Sequence, residues 1–160
     1  MTEWRIGIGY DTHRTSGART LVLGGIELPG VPGLQGFSDA DVLAHAVIDA
    51  VLGAAALGDI GRHFPDTDER YAEADSIELL REAVARVTAE GWQVGNVDAT
   101  LICEEPQISP HAAAMAARLA GALGVDASHV SVKGTTNEGL GFLGRGEGIA
   151  ALAVALVKRA

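Results

Sequence analysis

Cysteine is almost missing from this chain. Cys103 stands alone, so no intrachain disulfide can form, and the usage fits a reducing compartment. Cations are also scarce: 12 Lys and Arg stand against 21 Asp and Glu, giving a formal net charge of −9. That balance weighs against a nucleic-acid surface, which needs a clustered basic footprint. It leaves room for a phosphorylated ligand, because a bound cation supplies positive field locally. No apolar run approaches the roughly 18 residues of a membrane-crossing helix. Glu3 and Arg5 lead directly into a strand pattern, without the layout of a signal peptide. The expectation is a soluble cytoplasmic protein with no nucleic-acid or membrane partner. Aromatic residues are only 4%, so the core must be aliphatic, and the 48% hydrophobic content, rich in Ala and Val, is enough for one domain over residues 1–160. The 21 glycines argue for tight turns and close backbone approaches.

The patterning predicts a mixed α/β (α+β) domain without repeats or linkers. Trp4 to Tyr10 reads as a strand, and Thr20–Leu23 and Ile26–Leu28 form a hairpin around Gly24-Gly25. Pro29 to Gly36 reads as a loop. Ser38-Asp39 offers caps for a helix from about Ala40 to Leu57 that is apolar nearly all round and therefore buried. Asp59 to Arg70 is a polar loop, and a second helix runs from about Ser76 to Glu90. Trp92 to Cys103 is a strand with Val97, Ala99, Leu101 and Cys103 on one face. A third helix starts near Pro110 and reaches Leu123. Val130–Lys133 is a short strand, Gly134–Gly148 a glycine-rich loop, and Ile149–Val157 a strand with apolar residues on both faces.

Asp11-Thr12-His13 leaves the first strand with a carboxylate and an imidazole on the same side, since residues two apart share a face. Alone, the tripeptide also fits a turn-capping Asp beside a surface His. On the buried helix Asp41, His45 and Asp49 are spaced by four and share a face, where charged groups need partners. His45 alone fits a satisfied core histidine. Together Asp11, His13 and His45 supply two imidazoles and a carboxylate, and three ligands with an open fourth position is the pattern of a catalytic zinc site. Asp41 or Asp49 is then placed to orient the imidazole. His63, His111 and His129 lack such partners and read as surface or structural. Farther on, Lys133-Gly134-Thr135-Thr136-Asn137-Glu138 opens the glycine-rich loop. Loop amides and threonine hydroxyls suit phosphate oxygens, and Glu138 suits a hard divalent cation. Arg145 fits a phosphate fork or an interface anchor. A structural hairpin fits the same loop, and a Walker loop does not.

These stretches occur together in one order. Gly7-Ile8-Gly9-Tyr10-Asp11-Thr12-His13, Ser38-Asp39-Ala40-Asp41-Val42-Leu43-Ala44-His45 and Leu57-Gly58-Asp59-Ile60-Gly61 are followed by Phe64-Pro65-Asp66-Thr67-Asp68 and Gly95-Asn96-Val97-Asp98. Lys133-Gly134-Thr135-Thr136-Asn137-Glu138 and Gly144-Arg145-Gly146-Glu147-Gly148 complete the set. From Arg5 to about Val157 the chain resembles the 2-C-methyl-D-erythritol 2,4-cyclodiphosphate synthases of the non-mevalonate isoprenoid pathway.

The resemblance implies a homotrimer, with sheets around the threefold axis, helices outside and each site shared by neighbouring subunits. It implies cyclisation of 4-diphosphocytidyl-2-C-methyl-D-erythritol 2-phosphate with release of CMP. Asp11, His13 and His45 would hold Zn2+, and Glu138 a second ion, Mg2+ or Mn2+. Thr135, Thr136 and Asn137 would meet the phosphates, with Thr136 stabilising developing charge. Asp59, Ile60, Gly61 and the stretch Phe64, Pro65, Asp66, Thr67 and Asp68 would hold the methylerythritol part, with Thr12 and Ser38 also at the substrate. Cys103, Glu104, Glu105, Pro106, Gln107, Ile108 and Ser109 would form the cytidine pocket, with Phe142 and Arg145 in the same region and Arg145 near the axis.

Two departures matter. Phe37 stands where the family usually has a His that contacts the phosphates, and Ala40 stands where it usually has Gly. Glu104-Glu105 is also more acidic than a phosphate-facing loop would ideally be. Two other readings stay open: a zinc phosphohydrolase, and a low-activity or non-catalytic trimeric module that binds an isoprenoid or nucleotide.

Overall fold

Two glycines decide how the first strand meets the helix that covers it. In the computed structural model, which describes residues 1–159, strand β1 spans Glu3–Leu23 and helix α1 spans Val42–Ala54. A Cβ on Gly7 would lie 2.1 Å from the carbonyl oxygen of Ala50, and one on Gly9 would lie 1.9 Å from that of Ala46. Backbone therefore rests on backbone, and the small residues Ala46, Ala50 and Ala54 of α1 form the matching groove. The larger side chains of β1 take the other face. Ile6 and Ile8 are 73% and 70% exposed there, beside Trp4 and Tyr10.

The sheet has five strands in the order β2-β1-β5-β3-β4, with β2 at Ile26–Leu34, β3 at Gln93–Ile102, β4 at Val130–Thr135 and β5 at Gly148–Arg159. All pairings are antiparallel except β3 with β4. Helix α1, α3 (Ser76–Ala89) and α4 (Ala112–Leu123) join the same core against one face, with Leu21, Leu80, Leu101 and Leu119 fully buried. The other face is bare in the single chain, where Leu152 and Val154 of β5 extend the apolar patch. Among the described residues no helix is long and apolar enough to cross a membrane.

Several boundaries differ from the sequence expectation. The first strand does not end at Tyr10. It continues through Asp11–His13, paired with Ala151 and Ile149 of β5, and then turns to pair with β2. The stretch from Pro29 is strand rather than loop up to Leu34, because β2 is an edge, where a missing N–H is tolerated. Short helices α2 (Ile60–His63) and α5 (Gly141–Gly144) sit inside expected loops. Helix α1 is capped by Asp41, not by Ser38-Asp39. The Asp41 carboxylate accepts from the N–H of Ala44 at 3.0 Å, and from Gly24 and Gly25 of the hairpin at 2.9 and 2.7 Å. Burial pushes this carboxyl up to about 6 against the pull of those donors.

The glycine contact generates a stability prediction. Gly9→Ala forces a methyl into the Ala46 carbonyl and should destabilise the fold by about 2 kcal/mol or more, read as a lower denaturation midpoint. An unchanged midpoint would show that strand and helix separate freely.

Candidate active site

β1 delivers Asp11 and His13 to the helix-covered side, and the first turn of α1 delivers His45. Their inward atoms converge. His13 Nε2 lies 2.8 Å from Asp11 Oδ2, His45 Nδ1 lies 3.0 Å from the same oxygen, and the two nitrogens are 3.1 Å apart. A tetrahedral zinc with ligands near 2.0 Å sets them about 3.3 Å from one another. The outward ring nitrogens are occupied. His13 Nδ1 faces Gln35 O at 2.6 Å, and His45 Nε2 faces Ser76 Oγ at 2.8 Å and Ser38 Oγ at 3.1 Å. Ser76 in turn donates to the Asp39 carboxylate. With outward N–H groups so used, two imine lone pairs and a carboxylate point at one spot. That arrangement is repulsive unless a proton or a cation sits there, so the donor set fits a metal.

The electrostatics agree. Burial alone would raise Asp11, but the hydrogen bonds and charges of His13 and His45 outweigh it and bring the carboxyl down to about 2. Burial alone would lower His13. The hydrogen bond and charge of Asp11 reverse that and hold the imidazole above its ordinary value. The orienting role expected of Asp41 or Asp49 goes elsewhere. Asp41 caps α1, and Asp49 accepts from Ile60 N at 2.7 Å, tying α2 to the helix. Gln35 O, Ser38, Ser76 and Asp39 hold the rings instead. Nothing in sequence spacing signals them beyond a Ser at a helix start. His63 is structural, as expected: it faces Leu57 O at 2.8 Å and receives Arg86 at 2.7 Å.

A cavity of about 450 Å³ opens beside the cluster, lined also by Phe37, Ser38, Ile60, Gly61, Phe64, Pro65 and Asp66. Other residues expected here do not line it. Asp59 caps α2 by accepting from Arg62 N at 2.9 Å, Asp68 pairs with Arg70, and Thr67 is exposed. Thr12 lies on the opposite side of β1, in a smaller cavity of about 210 Å³ with Phe142. Arg145 is exposed and paired with Glu147 at 2.6 Å.

A second cavity, of about 400 Å³, is formed by Cys103, Glu104, Pro106, Gln107, Ile108, Ser109, Gly134, Thr135 and Thr136. Glu105, Asn137 and Glu138 stand beside it in the chain without lining it. The acidic Glu104 has a structural explanation. Its Oε1 accepts from Asn137 N at 2.9 Å and Gly139 N at 3.4 Å, joining the two loops of the cavity. Between those amides Glu138 is exposed with a left-handed φ of 52°. Burial pushes the Cys103 thiol up to about 11, with Glu104 adding, so it is no nucleophile at neutral pH. The two cavities lie at the same level of the sheet. Asp11 is opposite Ala151, Ala151 opposite Leu101, and Leu101 opposite Gly134. Three strand spacings, about 14 Å, separate β1 from β4.

Comparison with known proteins gives this geometry a family. The YgbB family pattern matches residues 4–158. A 2-C-methyl-D-erythritol 2,4-cyclodiphosphate synthase of Rubrobacter xylanophilus is 60% identical over 163 residues, covering 100% of this chain and 98% of the relative. The bifunctional IspDF from Campylobacter jejuni superimposes with a TM-score of 0.96 at 40% identity, over 100% of this chain and 43% of that one. IspF of Plasmodium falciparum, a CDP complex, gives 0.85 at 33% identity, over 98% of this chain and 96% of that one. The chain belongs to the YgbB family of 2-C-methyl-D-erythritol 2,4-cyclodiphosphate synthases and is an enzyme, a lyase.

Proposed function

We propose that this chain cyclises 4-diphosphocytidyl-2-C-methyl-D-erythritol 2-phosphate. An oxygen of the 2-phosphate attacks the β-phosphorus, the bond to the bridging oxygen breaks, and CMP leaves with that oxygen. The observation that carries this reading is the convergence of Asp11, His13 and His45 on one point beside a cavity. The substrate supplies both reacting groups, so the protein has only to fold it and balance its charge. Zn2+ held by Asp11, His13 and His45, and Mg2+ or Mn2+ held by Glu138, would supply positive charge that polarises the diphosphate. The chain's own residues do the positioning. Ile60, Gly61 and Phe64–Asp66 enclose the methylerythritol carbon skeleton, and Asp66 accepts from its hydroxyls. Thr135 and Thr136 donate to phosphate oxygens. The loop Cys103–Ser109 takes the cytidine; a cytidine-diphosphate substrate is supported by the CDP complex of the Plasmodium falciparum relative.

The working enzyme is read as a cytoplasmic homotrimer. Its bare sheet faces meet around an axis, and the metal side of one chain completes the nucleotide side of its neighbour. An apolar patch of this kind on a single chain marks an interface. Light scattering should give three times the 16.5 kDa chain mass, and Ile8→Lys should yield monomers without loss of the fold. A parent protein that is monomeric at micromolar concentration would overturn the shared site.

Metal uptake should depend on pH. His13 holds a proton above its ordinary value of 6.5, and the cation must displace it. Zinc affinity should therefore fall by about tenfold for each pH unit below the His13 pKa. A flat affinity between pH 8 and pH 5.5 would argue against these ligands.

Phe37 decides how fast the enzyme runs. It lines the metal-side cavity and has no donor for a phosphate oxygen. Losing one preorganised donor typically costs on the order of 10²–10³ in rate. Phe37→His should raise kcat by about tenfold or more, with zinc content and assembly unchanged. Turnover is followed as CMP plus cyclic diphosphate at saturating Mg2+. Release of inorganic phosphate would point instead to a zinc phosphohydrolase. Binding without turnover in both forms would point to a non-catalytic module.

A further inference from the structure

The loop that carries Phe37 is held from outside the cavity. β1 departs from regular pairing before its hairpin: Ser16 is opposite Gly33 and Thr20 opposite Pro32, so Gly17, Ala18 and Arg19 bulge out. The bulge aims the Arg19 side chain at the chain turning into α1. Arg19 Nη1 donates to Ser38 O at 2.7 Å and to Gly36 O at 3.4 Å. Its Nη2 pairs with the Glu73 carboxylate. The backbone of Glu73 then reaches the remaining carbonyl, its N–H donating to Phe37 O at 2.9 Å. Three consecutive carbonyls, 36 to 38, are thus bound by two residues that are also bound to each other. Glu73 does this with a φ of 57°, a left-handed conformation that a non-glycine residue keeps only when its surroundings require it. The next step of the ladder is Asp39 N to Ala74 O at 3.0 Å.

Arg19 does not line the metal-side cavity, and its guanidinium is engaged with protein acceptors. Exposed ion pairs contribute little stability, so the Arg19–Glu73 pair has no obvious worth as a surface bridge. Its worth lies in what it aims. Residue 37 faces the cavity and Ser38 Oγ lies 3.1 Å from His45 Nε2, so a shift of this loop moves both a cavity wall and a support of the metal cluster. We infer that Arg19, acting with Glu73, is a positioning residue that fixes the Phe37–Ser38 loop for the cyclisation step. This rests on the synthase reading for its effect on turnover, and on the hydrogen bonds alone for its effect on the loop.

The test uses the intact metal-loaded protein with Arg19→Gln and Arg19→Lys. Amide exchange at Asp39 and Glu73, whose N–H groups bond across the loop, reports the clamp directly. In Arg19→Gln both amides should exchange faster by about tenfold, while amides of the core strands stay protected. In the same variant kcat should fall by roughly 10- to 100-fold, since displacements of about 1 Å at a reacting site cost that much. CDP affinity should be unchanged. Arg19→Lys, which keeps the charge and one donor direction, should recover part of both effects. The gain from Phe37→His should also vanish in the Arg19→Gln background, which a merely structural role would not cause. Unchanged exchange at Asp39 and Glu73 overturns the clamp. Faster exchange with full kcat overturns the positioning role. If the parent chain makes no CMP at all, the synthase reading falls, and the exchange data alone decide whether Arg19 holds the loop.

Discussion

The contact between the glycine face of β1 and the alanine groove of α1 is the constraint on which the site depends. The Asp-His-His cluster spans these two elements: Asp11 and His13 come from the strand, His45 from the helix. Their inward atoms lie within 2.8–3.1 Å of one another only because the backbones below them touch. A methyl group at Gly9 would meet the Ala46 carbonyl, one residue after His45, and push helix from strand. The stretch Ile6-Gly7-Ile8-Gly9 therefore has two outputs. Its glycines set the spacing of the cluster on one face, and its isoleucines leave an apolar surface on the other.

The cluster is built against its own charge. The two imidazole rings that meet Asp11 are each held from outside as well, by Gln35 O and by the hydroxyls of Ser38 and Ser76. Asp39 anchors this shell by accepting from both the N–H and the hydroxyl of Ser76 at the start of α3. Such a network fixes ring orientation before any ion arrives, so little reorganisation accompanies binding. It also explains why His45 is nearly buried and still polar: each of its ring nitrogens has a defined task.

Much of this was legible in the sequence, and the failures have physical causes. Asp11, His13 and His45 stood out because a two-residue strand period and a polar residue on an apolar helix are local signals. The extent of β1 was not legible. Its polar middle and Gly17 interrupt the pattern, and its pairing partner changes from β5 to β2 along its length. Asp41 and Asp49 were misread as imidazole supports because sharing a helix face with His45 says nothing about which neighbouring element faces them. Asp41 met the hairpin turn and Asp49 met α2. Glu104 looked misplaced in a phosphate-facing loop until the structure put two amides of the neighbouring loop on its carboxylate. Local pattern reports secondary structure and burial; which loop ends up opposite which is a tertiary fact.

The segment from Phe37 to Ala40 shows how such tertiary facts sustain a locally unfavourable choice. Ala40 is fully buried at a φ of 57°, where glycine is at ease and an L-residue loses roughly 1–2 kcal/mol. The conformation survives because the flanking bonds leave no alternative. Ser38 Oγ accepts from Ala40 N at 3.3 Å, Asp39 Oδ1 accepts from Asp41 N at 3.1 Å, and Asp39 N donates to Ala74 O. Burial of the methyl group returns part of the loss. The strained residue thus lies between a clamped loop, which carries Phe37, and the Asp41 cap of the helix that carries His45. A rigid join at that point lets position 37 change chemically while the geometry of His45 stays as it is.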